Sequence, residues 1–450
     1  MTEETKKEYF ELLRFKSVGA DPAHLKDCVD CAMWWKSWLE RSRFEAELVM
    51  PPVKNGKASP PIVIAERKGS EGASTILVYG HYDVQPAEME DGWKTPPFEP
   101  TEIGDRIYCR GANDDKGQSF ALMCGMQKAL SELPQESTPT IKVVLEGQEE
   151  TGSDALMTMV GDLRRKLSAD VMLVCDTSAA AKLRPAIVAG LRGVCHFTIE
   201  LTGPNRDLHS GEYGGIAPNP AQAIAELVAS FHNADGSIAV EGFLDGIEKP
   251  TAEEIRFARE GASDESVYEA DIGCKPCGGE KSKSLVERNS FEPTIEINGI
   301  HAGYGGSGAK TIIPSKAIAK VSMRLVPGQT PSRAISAVRK HIENHVAEGI
   351  TMNLVEVSEG AGALKLSIDS PVFRLVQMLL EEMDSRGPVY QWDGASIPVL
   401  TALKEASGAV PIIVGWGEPD DRIHSPNESY SLQQFEKACK WGELITKNLI

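Results

Sequence analysis

The sequence predicts an α/β fold: a mostly parallel sheet covered by helices on both faces, interrupted by a smaller α+β domain. Three observations predict it. Through the first part of the chain, short apolar runs alternate with stretches of helical period, the pattern of strands joined by crossover helices. Near residue 190 the runs become alternating polar and apolar, the pattern of strands with one face in water. After residue 364 a helix and an apolar strand return. The expected boundaries are 1–189 and 364–450 for one discontinuous domain and 190–363 for the insertion.

Residues 1 to about 45 read as helical, with apolar clusters at Phe10, Leu12, Leu13 and Phe15 and at Met33, Trp34, Trp35, Trp38 and Leu39. Ile76-Leu77-Val78-Tyr79 is a short buried strand. Lys116 to Leu133 is a helix with Phe120, Leu122, Met123, Met126 and Leu130 on its apolar side. Val143-Val144-Leu145 is a strand and Ala155 to Leu167 a helix. In the insertion, Phe197, Ile199 and Leu201 alternate with Thr198 and Glu200, as Ile295 and Ile297 and then Val321, Met323 and Leu325 alternate with their neighbours. Asn219-Pro220 and Thr330-Pro331-Ser332 each open a helix, because a capping side chain followed by Pro at the first position suits a helix start. Val372 to Met383 is helical, and Val410 to Val414 is the returning strand.

Composition narrows the function. The 450 residues carry 47 basic and 65 acidic side chains, a formal net charge of -18. A nucleic-acid partner is excluded on that balance, since phosphate contacts need a basic footprint. No run approaches the roughly 18 apolar residues that span a bilayer. The start of the chain, Met1-Thr2-Glu3-Glu4-Thr5-Lys6-Lys7, lacks the apolar core of a signal peptide, so the expectation is a cytoplasmic protein without membrane partners. Nine cysteines spread over a long chain fit reduced thiols better than a disulfide framework.

Three motifs carry the chemistry: Gly80-His81-Tyr82-Asp83, Arg110-Gly111-Ala112-Asn113-Asp114-Asp115-Lys116-Gly117 and Glu149-Glu150-Thr151-Gly152. Two further candidates are Asp176, after the run Val171 to Cys175, and His424, after Val410 to Val414. Imidazole plus carboxylate is the ligand set of a hydrolytic zinc centre. Side chains delivered from the ends of several strands collect where open α/β sheets bind ligands. Two His and three carboxylates can serve two zinc ions, with one carboxylate bridging through its two oxygens, and such a centre stays net positive.

With Gly80-His81-Tyr82-Asp83-Val84-Gln85-Pro86, Asp207-Leu208-His209-Ser210-Gly211 and Lys310-Thr311-Ile312-Ile313-Pro314, the chain resembles the co-catalytic di-zinc metallopeptidases. That family includes carnosinase-like dipeptidases, glutamate carboxypeptidase and succinyl-diaminopimelate desuccinylase. The resemblance covers nearly the whole chain and is strongest to the cytosolic non-specific dipeptidase branch. It implies two Zn2+ per subunit, with Mn2+ or Co2+ as alternatives. Asp114 would bridge them, His81 and Asp176 would complete one site, and Glu150 and His424 the other. Glu149 would be the general base and Asp83 would orient His81. A cis peptide between Asp114 and Asp115 is also implied. The insertion would be a lid and dimerisation domain of a homodimer, with His209 stabilising the oxyanion in the partner's site. Arg324 would hold the substrate's C-terminal carboxylate, with Thr311 and Ser396 as further substrate contacts.

The function this implies is that of a dipeptidase, a hydrolase acting on dipeptides with a free C-terminal carboxylate through a metal-activated water. A deacylase of the same family, cleaving N-acyl amino acids, uses nearly the same site and is the alternative. A non-catalytic dimeric scaffold with a relic site is a third, disfavoured because every ligand and base position is filled. Cys274-Lys275-Pro276-Cys277 is a lone Cys-x-x-Cys and reads as free thiols.

Overall fold

The computed structural model describes residues 1–54, 56 and 58–449. The chain divides into two units: Met1–Ala189 with Leu366–Gln391 and Val399–Ile450, and Gly190–Lys365 with Trp392–Pro398. Trp392–Pro398, expected in the first domain, clusters with the second unit.

The first unit is built on a six-stranded sheet. Its order is Glu45–Val49, Ile62–Arg67, Thr140–Glu146, Thr75–His81, Val171–Val174, Val410–Ile413. The last four run parallel, with Thr75 opposite Thr140, Ile76 opposite Val171, and Val410 opposite Val171. Ile62–Arg67 pairs antiparallel with both Glu45–Val49 and Thr140–Glu146. The parallel register brings the carboxyl ends of four strands to one edge. Val171–Val174 is buried along its whole length and Thr75–His81 from Ile76 onward, as strands covered on both faces must be.

Helices Lys116–Glu132 and Leu432–Asn448 pack closely against each other. Glycines permit it: a Cβ on Gly125 would lie 1.8 Å from the Cys439 carbonyl oxygen, and one on Gly442 2.2 Å from that of Leu122. Tyr9, Trp35, Trp38, Phe120 and Phe435 join in one buried aromatic cluster. The single helix expected at Ala155 to Leu167 is two short ones, Asp154–Met159 and Arg164–Leu167. Gly161 lies between them, and mid-helix Gly costs about 1 kcal/mol relative to Ala.

The second unit holds a four-stranded antiparallel sheet ordered Thr294–Ala302, Lys316–Leu325, Gly193–Thr202, Thr351–Ala361. Cys195, Phe197, Ile199 and Leu201 point to the same buried side as Ala319, Val321 and Met323. Ile224 and Leu227 of helix Pro220–Ala229 and Val338 and Ile342 of helix Pro331–His345 complete that core. Asn219 caps the first of these helices by accepting from the Ala221 N–H at 3.0 Å. Thr198, expected in solvent, is buried and donates to Glu356 at 2.7 Å. Helices Ala252–Gly261, Glu265–Ile272 and Leu285–Ser290 were not expected. Two of them carry capping boxes, Thr251 with Glu254 and Ser284 with Glu287, the signal that would have found them.

Candidate metal centre

The carboxyl edge of the sheet gathers the candidate ligands, all within the first unit. His81 is the last residue of its strand. Glu149 and Glu150 stand in a single 3-10 turn, Glu149–Thr151, just beyond strand Thr140–Glu146. Asp176 follows Val171–Val174 by two residues, and His424 lies in the loop before strand Ser429–Ser431. Asp114 stands two residues before helix Lys116–Glu132, and the Asp114–Asp115 peptide is cis.

Two ligand groups result: His81, Asp114 and Asp176, and Asp114, Glu150 and His424, each with its ligand atoms within 4.8 Å of one another. Asp114 belongs to both and divides its oxygens between them. Its Oδ1 is 3.1 Å from His81 Nε2, which is 3.8 Å from Asp176 Oδ2. Its Oδ2 is 2.9 Å from His424 Nε2, which is 3.0 Å from Glu150 Oε2. His81, Asp83 and Asp114 are buried, whereas His424 is exposed, so the pair of groups opens to solvent on the His424 side.

Asp83 ties the first group to the turn. His81 Nδ1 is 3.1 Å from the Asp83 carbonyl and 3.3 Å from its Oδ1, so the proton sits on Nδ1 and the Nε2 lone pair is left for a ligand. The same Asp83 carboxylate accepts the N–H groups of Glu149 and Glu150 at 3.2 and 3.3 Å.

The electrostatics ask for a cation. Among the described residues, no lysine or arginine pairs with Asp114, Glu149, Glu150 or Asp176, and the two imidazoles are the only cationic groups that meet them. Burial opposes charge on His81, but its hydrogen bonds to Asp114 and Asp83 raise its pKa well above the ordinary value. Hydrogen bonding to Asp114, then to Glu150, lifts His424 to about 10. Burial resists ionisation of Asp114 too, but hydrogen bonds from His424 and His81 hold its carboxyl well below the usual range. Burial, followed by neighbouring carboxylates, pushes Glu149 up to about 7 and Asp176 well above its normal value. Three carboxylates and two imidazoles grouped around two points, with Glu149 beside them, suit a pair of divalent ions.

Several supporting residues escaped the sequence reading. Glu428, fully buried, accepts from Arg110 Nη1 at 2.7 Å and from the N–H groups of Gly111, Asn113 and Asp114 at 3.0, 3.0 and 3.1 Å. It clamps the loop that presents Asp114. Replacing Glu428 by Ala strands Arg110 and three N–H donors. The expected cost is about 3–5 kcal/mol of stability, read from the urea midpoint; a near-wild-type midpoint would contradict the clamp. Asp115 accepts the His81 N–H at 3.2 Å and the Ser119 hydroxyl at 2.6 Å. Gln85 Nε2 donates to Glu150 Oε2 at 2.7 Å. A Cβ on Gly80 would lie 2.0 Å from Ser119 Oγ and 2.9 Å from Asp115 Oδ2, which explains the glycine beside His81. The only sequence signals were adjacency: Glu428 follows His424 by four residues and Gln85 follows His81 by four.

The four remaining candidates lie on the second unit, in two places. His209 and Thr311 meet where Leu208–His209 pairs with Ile312–Ile313, and the Ser210 N–H donates to the Thr311 carbonyl at 3.0 Å. His209 Nδ1 accepts the Gly211 N–H at 3.1 Å, so its proton is on Nε2, which is thereby an outward donor. Arg324 and Ser396 meet elsewhere, with Arg324 Nη1 donating to Ser396 Oγ at 2.8 Å. The Cys-x-x-Cys thiols are free and exposed, and all nine cysteines are free of disulfides.

Comparison with known proteins agrees with this geometry. The Beta-Ala-His dipeptidase of Rattus norvegicus is 29% identical over 386 residues, covering 85% of this chain and 78% of that protein. The Cys-Gly metallodipeptidase of Schizosaccharomyces pombe is 30% identical over 393 residues, covering 85% of this chain and 81% of its own length. The crystal structure of an M20 family metallo-carboxypeptidase from Sulfolobus solfataricus superposes with a TM-score of 0.86 at 27% identity, over 100% of this chain and 99% of that one. Residues 77–448 match the sequence pattern of Peptidase family M20/M25/M40. With the match spanning both units and every candidate ligand, the chain belongs to peptidase family M20/M25/M40.

Proposed function

We propose that this protein is a metal-dependent dipeptidase whose centre is held by His81, Asp114, Asp176, Glu150 and His424. One observation carries the reading: the two oxygens of Asp114 face two separate groups, each completed by an imidazole and a carboxylate. The relatives named as dipeptidases support the substrate class. Two zinc ions bound there, or manganese or cobalt in their place, would polarise the scissile carbonyl and make the attacking water more acidic.

The remaining work falls to the chain. Glu149, raised toward neutrality by burial, takes the proton of the attacking water and returns it to the leaving amine nitrogen. Asp83 keeps His81 in the tautomer that offers Nε2, and fixes the turn carrying Glu149. His209 donates from Nε2 to the oxygen that gains negative charge. Arg324 pairs its guanidinium fork with the substrate's free carboxylate, which limits the length beyond the scissile bond. Thr311 and Ser396 add hydroxyl contacts.

The reading extends to a homodimer in which the 190–363 insertion acts as lid and dimerisation domain and His209 serves the substrate of the other subunit. It also extends to a cytoplasmic setting, supported by nine unpaired cysteines. Among the described residues no helix is long and apolar enough to cross a membrane.

The test is a panel of dipeptides, tripeptides and N-acetyl and N-succinyl amino acids. Cleavage of dipeptides with tripeptides spared is expected. Cleavage of the acyl amino acids alone would instead assign a deacylase.

A further inference from the structure

The geometry points to Arg192 as a positioning residue for Arg324: it clamps the 392–398 strap, and the strap's Ser396 holds the Arg324 guanidinium. The inference rests on the reading that Arg324 takes the substrate's carboxylate. Every group it invokes lies within the second unit.

Arg192 grips the strap from three of its atoms. Its backbone N–H donates to the Asp393 carbonyl at 3.3 Å, its Nε donates to the Gly394 carbonyl at 3.0 Å, and its own carbonyl accepts the Ser396 hydroxyl proton. A fourth contact, Nη1 to the Glu292 carbonyl at 3.3 Å, fixes the guanidinium against the wall behind. Ser396 Oγ then accepts from Arg324 at 2.8 Å. The hydroxyl has one proton, and Arg192's carbonyl takes it, so its lone pair is turned to Arg324. The strap is also pinned by Ser290 Oγ donating to the Trp392 carbonyl at 2.7 Å.

The packing is tight enough to transmit a change. A Cβ on Gly394 would lie 2.5 Å from Asn289 Oδ1 and 2.8 Å from Arg192 Nη2, so glycine is what lets the strap close on the guanidinium. Among the described residues neither Arg192 nor Arg324 forms an ion pair with a carboxylate, although both are half-buried. Burial, and then the nearness of Arg324, brings the Arg192 pKa down to about 10 against the opposing pull of Asp393 and Glu296. Asp393 acts on both guanidiniums and Glu296 on Arg192, but neither carboxylate is close enough to form an ion pair, so a fork of Arg324 is left for an anion and the Ser396 hydroxyl sets which one.

The experiment compares kcat and KM for a dipeptide and for its C-terminal amide in wild type, Arg324→Gln, Arg192→Gln and the double variant. Arg192→Gln is expected to raise KM for the dipeptide about 10-fold with kcat little changed, since one charge-assisted contact is at stake. The amide, lacking the carboxylate, should show no such rise. The double variant should be no worse than Arg324→Gln, because Arg192 acts through Arg324. A loss equal on dipeptide and amide, a loss carried by kcat, or full additivity would overturn the inference. So would an unchanged KM in Arg192→Gln while Arg324→Gln raises it. An unchanged KM in Arg324→Gln itself would overturn the carboxylate reading and the inference with it. Should Arg192→Gln fail to fold, Gly394→Ala carries the test: a dipeptide-specific KM rise supports the clamp, and an unchanged KM overturns it.

Discussion

Glu149→Gln is expected to lower kcat for dipeptides by roughly 10²–10⁴-fold, the contribution of a positioned general base, while bound metal is unchanged. Gln preserves the size of the side chain and the turn, whose N–H groups are fixed by Asp83 from below. It removes only the capacity to accept and return a proton. Glu150, the next residue, faces His424 instead, so the two neighbours separate into base and ligand. Steady-state kinetics beside metal analysis of the purified variant checks this. Full activity would refute the base assignment, and loss of metal would move Glu149 into the ligand set.

Asp114→Ala has the other large expected effect. Each of the two ligand groups contains one Asp114 oxygen, so one substitution weakens both. The variant should hold less than half the wild-type metal and lose about 10³-fold or more in kcat/KM, as removal of several kcal/mol of charge stabilisation requires. His424→Ala, which touches only one group, should spare part of the metal content. Equal metal in wild type and Asp114→Ala would contradict a shared ligand.

The candidate ligands were legible because each sits in a short motif of unusual composition at the end of an apolar run. His81 ends a strand, and Glu149, Glu150 and Asp176 follow strands by a few residues, so period and chemistry pointed to one sheet edge. The clamp around them was not legible. Glu428 reaches Arg110 and Asp114 across more than 300 residues of sequence, and nothing about a single Glu after Asn427 announces four donors converging on it. Asp115 was visible as a neighbour of Asp114, but its grip on the His81 N–H depends on the packing of the helix that starts at Lys116.

The fold shows the same division. Sustained periods, as at Lys116 to Leu133 and Pro331 to Ile342, were readable because many residues vote for one helix. Weak or broken ones were not. Half of Ala252–Gly261 is charged, which blurs its apolar period, and its capping box is the signal that marks it. Gly161 divides a helical pattern that looked continuous. The return of Trp392–Pro398 to the second unit depends on hydrogen bonds from Arg192 and Ser290, contacts between distant segments that no local pattern encodes.

The central claim is that Asp114 joins two metal-ion sites on which dipeptide cleavage depends. The most direct measurement is metal content per chain after exhaustive dialysis, followed through chelation and re-addition of zinc alongside dipeptide turnover. Two ions per chain, with turnover lost on chelation and recovered as the second ion returns, is the predicted result. Undiminished dipeptide cleavage by the metal-free protein would contradict it.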